Sequence, residues 1–371
     1  VGELRLIALL LAAGLAGGCA STTASLTFLE PAQWEEALRA RGVDPREVPN
    51  PLAFTPEMRL EALRLAGSGE NLERLRRLQE ALFDAQQFPF TYEVKTTLTA
   101  VEAFYRRQGN CLSFTNLFVA LGRSLGIPVQ SGLITRIRSS EREDDLIVVN
   151  THVVALLSHA GGMTYFDFDR TRRRQPAVVR PLNDLWVTAL YLNNRGADEL
   201  RLRHPEAAER LFANAVKLAP EFAPAWGNLG VARRRLGDIG GALAAYAEAL
   251  RSDPTNPTVL SNLALLYTSL GRTVEADAAL AAARLSGASP HLLIVRGDVE
   301  LARGKVAEAR RFYLRARRLE PRLADAWVAL ARAELAAGRP AQARRLATKA
   351  LRLDPQVAGG AALLDTIEGK R

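Results

Sequence analysis

Cysteine, histidine and lysine are scarce in this chain of 371 residues, with two, four and five copies. Two cysteines exclude a disulfide scaffold and a zinc ribbon built on several thiolates. A single apolar run, at the extreme N-terminus, excludes a polytopic membrane protein. There is no glycine-rich phosphate loop, no cluster with metal-ligand spacing and no dinucleotide fingerprint, so neither cofactor nor metal is expected. Lysine is so rare that arginine supplies 44 of the 49 basic residues. From Arg195 onward stand 28 basic and 19 acidic residues, which accounts for the whole net charge of +9. An arginine bias of this kind follows from base composition as readily as from phosphate contacts, so no nucleic-acid partner is inferred. What is present suffices for packed cores: 48% hydrophobic and 24% charged residues, in a length that suits two or three domains.

The N-terminus reads as an address. Residues 6–15 form a ten-residue apolar run behind Arg5, too short to cross a bilayer and suited to the core of a secretory signal. It leads into Leu15-Ala16-Gly17-Gly18-Cys19-Ala20-Ser21. That segment resembles the lipobox of bacterial lipoproteins, although Ala16 stands where Leu is commoner. The resemblance implies a signal peptide over 1–18, lipidation of Cys19, and a tether over 19–30. It also implies anchoring in the outer membrane, facing the periplasm, because Ala20 rather than Asp follows the cysteine.

The second half repeats itself. Gly237, Gly271, Gly304 and Gly338 recur at intervals of 34, 33 and 34 residues, and Ala208, Ala242, Ala276, Ala309 and Ala343 at 34, 34, 33 and 34. Pro220, Pro254, Pro321 and Pro355 close four of the units, and Trp226 and Trp327 open two. Small residues let paired helices approach, while glycine breaks the chain between them. This pattern resembles the tetratricopeptide repeat (TPR), an all-α superhelical solenoid. Five units are expected over 189–357, starting at 189, 223, 257, 290 and 324, with a capping helix in 358–371. The resemblance implies a concave groove that holds a protein or peptide. Asn194, Asn228 and Asn262 share one register on the groove-lining helices, where side-chain amides can hold an extended backbone. Arg201, Arg234 and Arg235 lie near that face and would favour an acidic or carboxylate-ended ligand.

Between tether and repeats, helices are expected over 31–41, 56–66 and 70–85. Thr99-Ala-Val-Glu102 is a capping box that starts another, ending at 107. Gly109-Asn110-Cys111 then opens a helix whose apolar residues run to Leu125, with Asn110 as its cap and Gly126 as its stop. Cys111 thus sits at a helix N-terminus, a setting that favours the thiolate. Beyond it the period changes to two. Strands are expected over 127–137, 146–157 and 164–169, with a charged loop at 139–145 and a tight turn near 160–161. His152 falls on the second strand, opposite 167–169 of the third. Asp167 and Asp169 point to one face of that strand, Phe166 and Phe168 to the other.

The order of Cys111, His152 and Asp167, with Leu125-Gly126-Ile127-Pro128, Thr151-His152-Val153 and Tyr165-Phe166-Asp167, resembles the transglutaminase-like superfamily. That family has an α+β, papain-type fold. The resemblance implies a domain over 31–185, with its core at about 85–172. It makes Cys111 the nucleophile, His152 the base and Asp167 the group that orients the imidazole. Asp169-Arg170-Thr171 resembles the family's Asp-Pro-Thr ending, which makes Asp169 a rival for the third role. In cross-linking members of that family tryptophans at these places shape the acyl-acceptor channel; here none follows Cys111 and none stands two residues after His152, so the resemblance implies hydrolysis of an amide rather than transamidation. Two readings follow. One is a thiol amidase or peptidase whose repeats recruit a protein substrate; the other is a scaffold lipoprotein with a catalytically silent domain.

Overall fold

The computed structural model describes residues 28–94, 96–143, 146–168, 178–284, 289–355 and 357–369, and no side chain of 135–151 is described. Cys19 and Asp169 lie outside these residues. The N-terminal domain begins with α1 (Pro31–Arg39), α2 (Pro56–Ala66) and α3 (Asn71–Phe83). Local chemistry sets their starts: Thr55 Oγ1 accepts from the Met58 amide, and Pro56 fills the first helical position. A two-residue strand β1 (Thr91–Tyr92), helix α4 (Ala100–Arg106), strand β2 (Gln108–Gly109) and helix α5 (Cys111–Ser124) follow. The expected box is present on α4, where the Thr99 hydroxyl accepts from the Glu102 amide and the Glu102 carboxylate from the Thr99 amide. Pairing of β1 with β2, in parallel, was not expected from the sequence.

A four-stranded antiparallel sheet, ordered β5-β4-β3-β6, packs against α5. Its strands are β3 (Gln130–Glu143), β4 (Leu146–His159), β5 (Gly162–Phe166) and β6 (Val179–Leu182). Val153, Ala155 and Leu157 of β4 and Phe166 of β5 join the main core with Leu117, Phe118 and Leu121 of α5. The other face buries Ile134, Val154 and Leu156 under Val179. The turn between β4 and β5 is the expected two residues, Ala160 and Gly161, since His159 pairs with Gly162. The charged loop expected at 139–145 is corrected: both strands continue as a two-stranded ribbon, pairing Arg138–Glu143 with Leu146–Thr151. Isoleucine and valine at 147–149 are strong strand formers, and their pairing carries the charged partner strand along with them. The register shifts between Ile134, which pairs with His152, and Arg138, which pairs with Thr151, so the irregularity adjoins the His152 pair. β4 also lies against α10 (Pro257–Ser269) and β3 against α12 (Pro290–Ala302) of the repeat array.

The array comprises α6 (Asp184–Arg201), α7 (Pro205–Leu218), α8 (Ala223–Arg235), α9 (Ile239–Ser252), α10, α11 (Thr273–Ala283), α12, α13 (Val306–Leu319), α14 (Ala324–Ala336) and α15 (Pro340–Leu353), then a terminal α16 (Gly360–Glu368). Helices pair as α6 with α7 through α14 with α15, and the first helices of successive pairs lie side by side. Gly237 and its three counterparts each hold a φ between +71° and +79° in the turn within a pair, a region that favours glycine. The periodic tryptophans and prolines are physically linked: Trp226 Nε1 donates to the Pro220 carbonyl (2.8 Å) and Trp327 Nε1 to the Pro321 carbonyl (3.0 Å). Each such bond fastens the start of one pair to the end of the pair before it.

The two halves share one core, which runs from Trp34 to Leu266. Polar contacts fix the junction. Asp184, in the first turn of α6 and 4% exposed, accepts from both terminal nitrogens of Arg123 (2.9 and 3.0 Å) and from the Leu29 amide (3.0 Å). Trp34 Nε1 donates to Thr188 Oγ1 at 3.1 Å. The first helix of the array is therefore also a wall of the N-terminal domain.

Candidate active site

Cys111 is the first residue of α5, and its position follows from the cap in front of it. Asn110 accepts from the Ser113 amide (3.1 Å) while its amide nitrogen donates to Thr97 Oγ1 (2.7 Å). Both ends of the Asn110 side chain are thereby engaged in structure, consistent with a cap. Gly109 has a φ of +150°, and a Cβ there would lie 2.3 Å from the Ser113 Cβ, so the approach to Cys111 requires glycine. The first amides of any helix lack partners within it, so the thiol sits among outward-facing N–H groups. Cys111 is half-buried, which leaves its sulfur a route to solvent.

The other two groups come from the sheet. Thr115 Oγ1 of α5 donates to the Val153 carbonyl (3.2 Å), which ties β4 to α5 one residue beyond His152. The β3 irregularity next to the Ile134–His152 pair is of the kind that re-aims a neighbouring side chain. Asp167 follows the last residue of β5, where Gln79 Nε2 of α3 donates to its carbonyl (2.8 Å). His152 Nε2 and Asp167 Oδ2 lie 2.7 Å apart, with only 8% and 15% of the side chains exposed. The Cys111 thiol is also a hydrogen-bonding neighbour of the imidazole. Since Asp167 holds Nε2, Nδ1 is the nitrogen available to the sulfur.

Burial pushes the imidazole pKa down, but hydrogen bonds to Asp167 and Cys111, together with their charges, more than offset it and raise it to about 9. At neutral pH the ring is thus an imidazolium held between Asp167 and Cys111. Such a chain can stabilise a thiolate, then return a proton to a leaving group. The structure brings together Cys111, His152 and Asp167. His159 stands apart, exposed, with Nε2 bonded to Thr164 Oγ1 at 2.8 Å.

Sequence reasoning missed several supports of this site. Gln79 and Thr115 act through main-chain carbonyls, and nothing in the local sequence marks such contacts. Phe168, assigned to the face away from the aspartates, instead lies beside the site. Its ring is 5.7 Å from that of His152 and stacks on Tyr92 at 4.4 Å, the two planes 4° apart. Beyond Phe166 the strand has ended, so alternation no longer governs where Phe168 points.

The expected partner-binding residues require correction. Asn194 is partly exposed, but Asn228 (7% exposed) and Asn262 (1%) are buried, so the three do not form an open row. Asn228 Nδ2 donates to Asn193 Oδ1 at 2.9 Å, a bond between neighbouring repeats. Close packing of adjacent first helices places this register inside their contact. Arg235 donates to the Leu200 carbonyl of the preceding pair (2.9 Å), and Arg201 pairs with Asp198 (2.5 Å). Arg234 lies half-buried on the same helix as Arg235. Among the described residues no cluster of His, Cys, Asp or Glu is arranged to hold a metal ion, and no helix is long and apolar enough to cross a membrane.

Family models for the transglutaminase-like superfamily match residues 62–167, and tetratricopeptide-repeat models match 193–257, 233–293 and 294–358. Protein FlbA of Caulobacter vibrioides is 34% identical over 163 residues, which are 43% of this chain. The chain spans about a quarter of that relative's length (25%). Among solved structures, the TPR protein TTC0263 of Thermus thermophilus is 23% identical, with a TM-score of 0.44, over 49% of this chain and 98% of its own. A Pseudomonas aeruginosa PilF structure is 22% identical with a TM-score of 0.38, over 49% of this chain and 85% of its own. Matches to both kinds of family model, in adjacent parts of one sequence, define the chain as a transglutaminase-like domain followed by tetratricopeptide repeats.

Proposed function

We propose that the N-terminal domain is a cysteine-dependent amide hydrolase and that the repeats hold its protein substrate or partner. The observation that carries this reading is the 2.7 Å pairing of His152 with Asp167, on an imidazole whose pKa Cys111 helps to raise. In the reaction the Cys111 sulfur attacks the amide carbonyl carbon, and the C–N bond breaks as the imidazolium gives its proton to the departing amine. Water then attacks the thioester, His152 takes the water's proton, and the carboxylic acid leaves as the thiol is restored. Asp167 keeps the ring oriented and stabilises its charge. The Cys111 amide, at the first helical position and without a partner inside the helix, would serve as a donor to the developing oxyanion. Asp169 is the alternative orienting residue.

TPR arrays mediate protein interactions, and we assign this one the same role. Any ligand on the layer of first helices shares it with strands β3 and β4, which lie against α12 and α10. We further propose that the chain is a lipoprotein of the cell envelope, cleaved before Cys19, acylated there and anchored in the outer membrane facing the periplasm. The apolar run ending in Gly18-Cys19 supports this. Cys19→Ala should abolish acylation and detergent-phase partitioning; unchanged partitioning would refute the anchor.

Acyl transfer is tested with p-nitrophenyl acetate, whose activated ester any competent thiol can open. The full chain carrying Cys19→Ser should release a burst of nitrophenol and carry an acetyl group on the Cys111 peptide. Adding Cys111→Ala should remove both. A burst equal in the two proteins would defeat the hydrolase reading.

A further inference from the structure

Tyr92 is an aromatic residue left 43% exposed, although its ring already stacks on another. Its position is tightly specified. In the β1–β2 pair Tyr92 stands opposite Gly109, two residues before Cys111. Bonds on both sides fix that register: the Thr91 amide donates to the Arg107 carbonyl (2.8 Å) and the Glu93 amide to the Gly109 carbonyl (3.0 Å). The partner in the stack, Phe168, immediately follows Asp167 and lies beside the His152 ring. The Tyr92–Phe168 pair thus joins the segment that delivers the thiol to the segment that delivers the carboxylate.

A two-residue parallel pairing gains little stability by itself, and an exposed ring is costly to leave in water. Set opposite the residue two before Cys111, the same ring would offer a flat apolar surface to whatever flanks the reacting carbonyl. Val94, in the turn that follows β1, is 57% exposed and adds a second exposed apolar side chain to this segment. Neither position flanking Cys111 or His152 carries the tryptophans noted above as missing, since Leu112 and Val154 stand there. An aromatic surface is nevertheless present, supplied from β1.

We propose that Tyr92, backed by Phe168, is a specificity-determining residue: it forms the wall of a subsite for an apolar or aromatic side chain adjoining the amide that Cys111 attacks. The proposal rests on the thiol-hydrolase reading for its biological meaning. Its test needs only a reactive sulfur at Cys111.

Two reagents with the same warhead supply that test, iodoacetamide and N-benzyl-2-iodoacetamide. Each is reacted with the full chain carrying Cys19→Ser, which leaves Cys111 as its single thiol, and each rate is divided by the reagent's rate with free cysteine. The ratio of benzyl to plain reagent compares two molecules at one sulfur, so it is insensitive to changes in the sulfur's own reactivity. In the parent the ratio should be about fivefold or more, the size of one aromatic contact with its buried area. Tyr92→Ala should bring it close to one, Tyr92→Leu should lower it with the packing volume largely kept, and Tyr92→Phe should retain it. A parent ratio near one, or a ratio unaffected by Tyr92→Ala and Tyr92→Leu, would overturn the subsite. Iodoacetamide labelling indifferent to His152→Ala would instead count against the hydrolase reading and leave the ratio interpretable.

Discussion

Two buried charge clusters, one in each half of the chain, look alike on paper and differ in chemistry. In the array, Glu334 is 1% exposed and accepts from Arg310 (2.7 Å) and Arg339 (2.5 Å), one guanidinium on each carboxylate oxygen. Burial pushes its pKa up, but the two arginine bonds outweigh this and hold it below the usual carboxylate value. Arginine does not give up its proton in the physiological range, so this cluster has nothing to exchange. In the N-terminal domain the central group is instead a histidine, with a carboxylate on one side and a half-buried thiol on the other. Burial of charge therefore does not mark a functional site. A titratable centre next to an accessible nucleophile does.

The comparison can be pressed by removing charges. The largest effect should come from the domain junction, where Arg123→Ala strands an Asp184 carboxylate that is 4% exposed. Leaving a buried charge unpaired costs about 3–5 kcal/mol, readable as a lower urea midpoint. Glu334→Ala should cost less, about 1–2 kcal/mol, because Arg310 and Arg339 are 41% and 48% exposed and can be rehydrated. The two clusters should also respond to pH with opposite sign. His152 has a folded pKa raised to about 9 from 6.5, so its stabilisation is complete below about pH 6.5 and disappears as pH rises through about 9. Glu334 has a lowered pKa, so its stabilisation is present above 4.5 and disappears as pH falls through the depressed value. Urea midpoints of the parent and His152→Ala should accordingly converge at high pH, and those of the parent and Glu334→Gln at low pH. The smallest effect belongs to Asn228→Ala, which removes one bond between repeats and should cost about 1 kcal/mol.

The parts of the fold legible in the sequence were those decided locally. Thr99 and Glu102 cap α4 through groups three residues apart, and Asn110 caps α5 in the same way, so both starts can be read from short strings. The array was legible because its period repeats the same packing problem five times over. Contacts between distant segments were not. The β1–β2 pair is too short to show alternation, and Gln79 reaches Asp167 across 88 residues. Asn228 was assigned to the groove by register alone, yet how closely adjacent first helices pack decides whether that register is open or buried. The ribbon at 138–143 was misjudged because its charges were weighed without the β-branched strand it pairs with.

The central claim is that Cys111 is the nucleophile of a working pair with His152. The most direct measurement is the pH dependence of Cys111 alkylation by iodoacetamide, in the full chain carrying Cys19→Ser, with and without His152→Ala. A free cysteine has a pKa of about 8.5 and reacts little below it. The account predicts rapid labelling well below pH 8, with a plateau towards neutral pH. His152→Ala should slow it by about tenfold or more at pH 6.5 and move the reactive window upward. Asp167→Asn should fall between the two, and His159→Ala should match the parent. A Cys111 whose rate climbs only through the ordinary thiol range, and is the same with and without His152, would contradict the claim and leave the domain a scaffold.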